Sequence, residues 1–390
     1  MRLLPFDYAV RNLGRSTTRL LLSIFGSALV VVLVIAASAF VRGMGASLDV
    51  SGSSGNILIL GAGSEESVER SEVEASVPSV LEATVPGIKA RSGVSYLSPQ
   101  VHVMLPVSIK ADAGSNRQLM IRGVTPTALL VHDRVRLLEG RFPESGSDEI
   151  MLGRMVTTTF GASEPELAIG NDLFIDGKPW KIVGRFAAPG TVLEGEVWTS
   201  LTSIMTATKR DTISCVVVTL NPLEAEFADI DAFTKMRPDL ELVVMTEEDY
   251  YGKLASFFEP IRIVAWVTAG LIALGGLFGG LNTMYAAFAS RVREIGTLQS
   301  QGYRRLAIVV SLVQESLLAT AAGSLIACVL GVLVLDGLAV RFSMGAFGLL
   351  VDAPVLGIGL CAGLLLGLLG ALPPAIRCLR LSIPIALKSI

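Results

Sequence analysis

Histidine and cysteine are nearly missing from this 390-residue chain, with two of the first and four of the second. The histidines, His102 and His132, stand about 30 residues apart with no cysteine cluster beside either. No H-E-x-x-H and no G-x-S-x-G occurs, so a metal-dependent or triad hydrolase finds no support, and no bound metal is expected. No G-x-x-x-x-G-K-[ST] is present either, so this chain does not itself cradle nucleotide phosphates; it is expected to bind no cofactor and not to be an enzyme. Glu194 and Glu196 are the nearest thing to a paired-carboxylate site, but in so acidic a stretch they read as solvated surface. Cys328 and Cys361 fall in long apolar runs and Cys378 just beyond one, leaving Cys215 alone in the polar middle, so no disulfide framework is available.

Charge is the other scarcity, and it is local. The segments Leu20–Val41, Ile263–Ser290, Leu306–Leu335 and Ala353–Ile376 carry a single charged residue among them, Glu315. A bilayer core about 30 Å thick needs roughly 20 apolar residues in a helix, and each segment is long enough. Four transmembrane helices follow, one N-terminal and three C-terminal, as residues 20–42, 261–290, 306–335 and 353–376. Ala37-Ser38-Ala39 resembles a signal cleavage site, but the apolar run is too long for a signal core, and the first segment is expected to remain as an anchor.

Lys and Arg are retained on the cytoplasmic side. Arg2, Arg11, Arg15 and Arg19 precede the first span, Arg291, Arg293, Arg304 and Arg305 join the second to the third, and Arg377, Arg380 and Lys388 follow the fourth. Arg341, between the third and fourth, is the one dissenter. Both termini are therefore placed in the cytoplasm and residues 43–260 outside it. That block holds 30 acidic against 18 basic residues, while the rest of the chain holds 5 against 14.

Residues 1–19 read as a cytoplasmic segment with an amphipathic helix within 3–18. In the outer block, Asn56–Leu60 reads as a strand, Ser71–Glu74 has capping-box spacing and opens a helix to about Val85, and Val94–Val107 and Gln118–Val124 read as strands. A similar unit returns late: strand Thr212–Leu220, a helix capped by Asn221-Pro222 and ending before Pro238, strand Leu240–Met245. Two strand–helix–strand units suggest a split α/β sandwich closed across an insertion, about 126–211, that reads as all-β. Within it Asp176-Gly177 marks a hairpin, and Val192–Trp198 supplies a further strand. Residues 336–352 form a short outer loop, 377–390 a cytoplasmic tail.

Residues 291–305 form the most specific stretch. A basic stop-transfer loop explains its arginines but not the Glu-Ile-Gly core or the glycine stop at Gly302. Ile295 and Leu298, at i and i+3, make a short surface helix that can press into a groove on a soluble partner. Glu315, in the third span, reads either as a polar contact that positions this helix during movement or as a carboxylate bonded to a neighbouring helix or to interfacial water.

The loop is similar to the R-x-R-E-I-G-x-L-[RK]-x-x-G pattern of MacB/FtsX-like ABC transporter permeases, matched by Arg291, Arg293, Glu294, Ile295, Gly296, Leu298 and Gly302, with Gln299 in place of a basic residue. Glu315-Ser316 resembles the family's E-S, Ala9–Leu13 its A-x-R-N-L, and Pro374–Leu387 its tail pattern, with Cys378 for a common Ala. The resemblance covers essentially the whole chain. It implies a mechanotransmitting (type VII) permease without a fused ATPase, and an outer α+β domain with a porter-like part (52–125 and 212–250) and an inserted β-rich sabre-like part (126–211). The loop residues would couple to a separate cytosolic ATPase that uses ATP and Mg. The permease would work as a dimer, with an adaptor and an outer-membrane channel as possible partners. Export, activation of an envelope hydrolase in the manner of FtsX, and lipoprotein or lipid extraction in the manner of LolCE all use this architecture. No nucleic-acid partner is implied.

Overall fold

The computed structural model describes residues 6–15, 17–110, 117–222, 226–342 and 345–380, the side chains at 7 and 341–345 excepted. The first residues of the expected amphipathic helix, Leu3, Leu4 and Pro5, and the tail motif from Leu381 to Leu387 lie outside the described residues. The chain forms two compact units: a membrane unit (1–42, 260–338 and 349–390) and an outer unit (43–259 and 339–348).

The membrane unit contains four helices long and apolar enough to cross a bilayer, Thr17–Ser51, Glu259–Ala289, Arg305–Leu335 and Ala353–Leu379. The first runs on to residue 51, about two and a half turns beyond the apolar segment, because nothing between Arg42 and Ser51 breaks a helix. The third ends in a π turn, Gly331–Leu335. Close approach of the helices rests on small and hydroxylic residues. A Cβ on Gly323 would lie 2.5 Å from the Ile24 carbonyl oxygen of the first span. On the fourth span, Gly363 and Gly367 face Ser324 and Thr320, and the Ser316 hydroxyl donates to the Gly367 carbonyl at 3.0 Å. At the outer end Arg42 Nε donates to Asp352 Oδ2 (2.9 Å), while Asp352 Oδ1 caps the fourth helix by accepting from Val355 N. The N-terminal segment is helical over Phe6–Gly14. Its Tyr8 packs on the cluster formed by Phe288, Ile308 and Leu312.

The outer unit is built on ten strands of one sheet: β1 (Asn56–Gly61), β2 (Leu97–Ser108), β3 (Arg117–Val124), β4 (Arg136–Gly140), β5 (Glu149–Gly153), β6 (Asp172–Ile175), β7 (Lys178–Ala187), β8 (Val197–Ser200), β9 (Cys215–Thr219) and β10 (Leu242–Thr246). The two strand–helix–strand units interleave in the order β10-β1-β9-β2, all antiparallel. This is a split β-α-β arrangement with helices Val77–Thr84 and Phe227–Met236. The strands of 126–211 do not form a separate sheet. β3, β8, β5, β7 and β6 continue from β2, and β6 returns to pair with β2 through Val107 and Ser108, so six strands close into a ring. Closure pairs both sides of these six strands, so the free edges left in the sheet are β10 (Leu242–Thr246) and β4 (Arg136–Gly140), which pairs only with β7. The β6–β7 hairpin turns at Asp176 and Gly177, both at positive φ (49° and 76°), the backbone a two-residue I′ turn requires.

Three local expectations need correction. Val73–Glu74 is a short strand paired with Thr212–Ile213, and the helix begins at Val77. Ser71 does not cap that helix; its hydroxyl accepts from Gly61 N at 2.9 Å, so an edge contact outcompetes the capping box. The later helix begins at Phe227 and is capped by a box between Glu226 and Asp229, not by Asn221-Pro222. The inserted stretch is not all-β: helices Ala128–Val131, Val156–Phe160 and Leu201–Thr208 lie within it, too short to leave a helical period in the sequence.

Candidate functional site

Period-two alternation sorts the ring strands into two faces. Val101 and Val107, Leu119 and Ile121, Ile150 and Leu152, Leu173 and Ile175, Trp180 and Ile182, and Val197 meet in one apolar cluster. The opposite parity carries Gln100, His102, Arg122 and Trp198, and here the buried polar chemistry of the outer unit gathers. Arg122 forks onto Glu196, Nε to Oε2 at 2.7 Å and Nη2 to Oε1 at 2.6 Å, and its Nη1 donates to Gln100 Oε1 at 2.7 Å. Trp198 Nε1 also donates to Glu196. Gln100 bridges the two histidines, 2.9 Å from His132 Nε2 and 3.1 Å from His102 Nε2.

Glu196 and Glu194 are thus not solvated surface. Both are buried, and Glu194 accepts from Ala188 N at 3.2 Å. The acidic composition misled because it averages over a domain, whereas one buried arginine decides where its counter-charge sits. Beside them Glu247, the first residue of helix Glu247–Phe257, accepts from Asn56 Nδ2 (2.9 Å) and Ser53 N (3.2 Å), with His132 Nδ1 3.6 Å away. Burial pushes Glu247 up to about 7 against those hydrogen bonds. It pushes His132 down to about 3 and His102 well below the usual histidine range, Arg122 adding to both. Burial also raises the Cys215 thiol to about 12, although it lies 3.8 Å from His102 Nε2, so it is no activated nucleophile. Among the described residues no group of three His, Cys, Asp or Glu could hold a metal. Arg122, Glu196, Gln100 and the two histidines bond one another in the interior, which suits a rigid domain core.

The membrane unit holds the second constellation. The stretch after the second span folds into helix Val292–Ser300, and Gly302, at φ +90°, ends it as the sequence led us to expect. Its faces are not disposed as the i, i+3 reading had them. Ile295 and Val292 are buried against Ile308, Leu312 and Leu379, with Leu298 half-buried at the same cluster. That corrects the direction of the apolar edge: Ile295 anchors the helix to its own spans. Gly296 is buried as well. Outward stand Arg293, Glu294, Thr297 and Ser300.

Four further charges wire this helix to the spans. Arg15 Nη1 donates to Glu294 Oε1 at 3.1 Å, and Arg291 Nε to Glu294 Oε2 at 3.3 Å. Arg291 Nη1 reaches both oxygens of Glu315 at 3.1 and 2.8 Å, and Arg19 Nη2 reaches Glu315 Oε1 at 2.9 Å. Glu315 is buried, so it is a carboxylate shared by the base of the first span and the start of the loop helix. In the sequence Arg19 carries no more than a topogenic charge, and nothing there marks Arg122, Gln100 or Glu247 as partners of a buried cluster. The one available signal was Glu315 itself, since a buried carboxylate demands a cation and the nearby termini offer few others.

Helical spans, an outer α+β domain and a short helix between the second and third spans define a multi-pass membrane protein with a large domain outside the membrane. Residues 20–234 match the MacB-like periplasmic core domain and residues 266–383 the FtsX-like permease C-terminal domain. The chain therefore belongs to the MacB/FtsX-like ABC transporter permease family, whose members work with an ATPase partner. It is a multi-pass inner-membrane protein with a periplasmic domain. No curated protein matches it. Among solved structures, the periplasmic region of MacB from Actinobacillus actinomycetemcomitans is similar at 11% identity and TM-score 0.40, covering 52% of this chain and 94% of its own. The extracellular domain of the noncanonic ABC-type transporter YknZ from Gram-positive bacteria is similar at 14% and 0.36, covering 49% and 100%. Both superpositions are too loose to add to the family assignment.

Proposed function

We propose that this chain is the permease subunit of a mechanotransmitting ABC transporter, and that helix Val292–Ser300 receives the stroke of a separate cytosolic ATPase, which consumes ATP and Mg. The reading is carried by one observation. The helix's exposed strip of Arg293, Glu294 and Thr297 belongs to an element tied by Arg291 to Glu315 in the third span and, through Glu315, to Arg19 at the base of the first. A displacement of that strip reaches two spans through paired buried charge rather than through flexible loop. Such a coupling switches between discrete packings instead of bending continuously. The permease would act as a dimer, and the movement would drive export or extrusion of a periplasmic or membrane substrate, with an adaptor and an outer-membrane channel completing the assembly.

The test substitutes Arg293→Glu with Thr297→Trp, which alters the exposed strip and leaves Ile295 packed. The expected result is a permease that still inserts and binds its ATPase, but whose complex loses substrate-stimulated ATP hydrolysis and export. Retention of both activities would remove the coupling role from this helix.

A further inference from the structure

Among the described residues, Arg377 and Arg380 at the cytoplasmic end of the membrane unit pair with no carboxylate. The last turns of the fourth span sort by helical position. Ala371, Ala375 and Cys378 are buried in one cluster with Phe288 of the second span. Pro373, Ile376, Arg377 and Arg380, at i, i+3, i+4 and i+7, stand exposed along one strip. With Leu372 and with Tyr285 of the second span, that strip lines a groove of about 570 Å³. The Arg377 guanidinium lies over the Tyr285 ring, 5.7 Å from its centroid, and is thereby held at the groove. Arg380 follows three residues on. Side chains at that spacing are neighbours, about 5–6 Å apart at Cβ, so both guanidinium groups can meet one anion.

By contrast Arg15, Arg19 and Arg291, at the same end of the spans, are matched by Glu294 and Glu315. No acidic residue lines the groove, and residues 381–390 contain no Asp or Glu. The chemistry on offer is therefore anion binding, and the rest of the lining sets the form of the anion. A free phosphate would use the arginines and leave Leu372, Pro373 and Ile376 uncovered, the last of them 41% exposed. A phospholipid uses both, with an acyl chain along the apolar side and its phosphate at the charged rim. The guanidinium fork fits phosphate oxygens through paired N–H donors. Tyrosine sits by preference at headgroup level. Basic pockets between spans on the cytoplasmic side favour anionic headgroups.

We propose that this groove binds one anionic phospholipid of the cytoplasmic leaflet, its phosphate held between Arg377 and Arg380 and an acyl chain against Leu372, Pro373 and Ile376. The Tyr285 ring acts by positioning Arg377. A lipid so bound ties the end of the second span to that of the fourth, because the ring and the two arginines come from different helices. The site is independent of the coupling helix and stands whether or not that helix drives transport.

The experiment is native mass spectrometry of the full chain in a non-ionic detergent, titrated with phosphatidylglycerol or with phosphatidylcholine of the same acyl chains. The expected result is a first phosphatidylglycerol bound at least about tenfold more tightly than the first phosphatidylcholine. Arg377→Gln with Arg380→Gln should abolish that preference, and Tyr285→Leu should reduce it. Arg304→Gln with Arg305→Gln removes the same charge from the same side of the membrane, at exposed residues that do not line the groove, and should leave the preference intact. All four arginines are exposed, so both double variants should melt close to wild type. Equal loss of preference in the two double variants means diffuse attraction to a basic face and overturns the proposal. Absence of any preference in the wild type overturns it as well. So does displacement of phosphatidylglycerol by an equal concentration of soluble glycerol phosphate, which means a site for free phosphate and not for lipid.

Discussion

Glu315 shows how much a single carboxylate can organise. Its two arginines approach from different elements, so deleting the carboxylate strands two guanidinium groups, whereas deleting Arg19 alone leaves Arg291 in place. Breaking a buried ionic partnership costs about 3–5 kcal/mol, while an exposed pair such as Arg15–Glu294 is worth about 0–1 kcal/mol. Glu315→Ala should therefore lower the thermal midpoint of the purified permease sharply, and Arg15→Ala hardly at all. A double-mutant cycle of Arg19 with Glu315 should return a coupling of about 1 kcal/mol or more, and additive losses would show that the contact carries no energy. In the outer unit, buried charge gives a prediction in pH. The folded state holds a proton on Glu247 up to about pH 7 that the unfolded chain releases near 4.5, so this group alone makes stability fall as pH rises between those values. His132 does the opposite, because the unfolded chain takes up a proton below 6.5 that the folded state refuses until about 3. From 4.5 to 6.5 the two cancel, and His102, lowered like His132, makes stability climb toward pH 6.5. Relative to wild type, Glu247→Gln should tilt the unfolding-against-pH profile upward with pH across that window and His132→Gln downward, each by about 1.4 kcal/mol per pH unit. Tilts of the same sign would mean that the protons sit elsewhere.

At the scale of elements, the membrane helices differ in how closely they are held. Gly323 has the Ile24 carbonyl oxygen and the Ser27 hydroxyl where its Cβ would stand, whereas Gly275 has nothing within 4 Å. Gly323→Ala should push the first and third spans apart and destabilise by about 1–3 kcal/mol, while Gly275→Ala should stay within about 0.5 kcal/mol of wild type. Thermal melts of the two variants decide it, and equal midpoints would show that the close approach is not needed. Elements of this kind were largely legible in the sequence. A 20-residue apolar run has one reading, and so has Asp-Gly between alternating strands. What sequence could not show was pairing at a distance. The return of β6 to β2 joins Ile175 to Val107 across 68 residues, and nothing in either segment announces it. The coupling helix was legible as a helix, with its glycine stop, but not in its orientation. Ile295 looks the same in sequence whether it faces a partner or its own spans, and only the presence of Ile308 and Leu312 beneath it decides.

For the whole molecule, orientation follows from charge alone. The first span is entered from a segment with four arginines, and the loop helix and tail are basic, while the periplasmic block carries about twelve more acidic than basic residues. Translocation of that block follows from the arginines, because Lys and Arg near span ends are retained inside while a long acidic domain hardly influences the choice. Glu164 and Ser300 are both exposed and lie in the periplasmic block and on the loop helix. After replacement of the four native cysteines by Ala, Glu164→Cys should react with a membrane-impermeant maleimide once the outer membrane is opened, without lysis of the inner one. Ser300→Cys should react only after lysis. The reverse pattern would turn the coupling strip away from any cytosolic ATPase, and with it the route by which force enters the protein. If instead Ser300→Cys stays unlabelled even after lysis unless the ATPase has been stripped, the strip is covered by that partner, as a coupling surface requires.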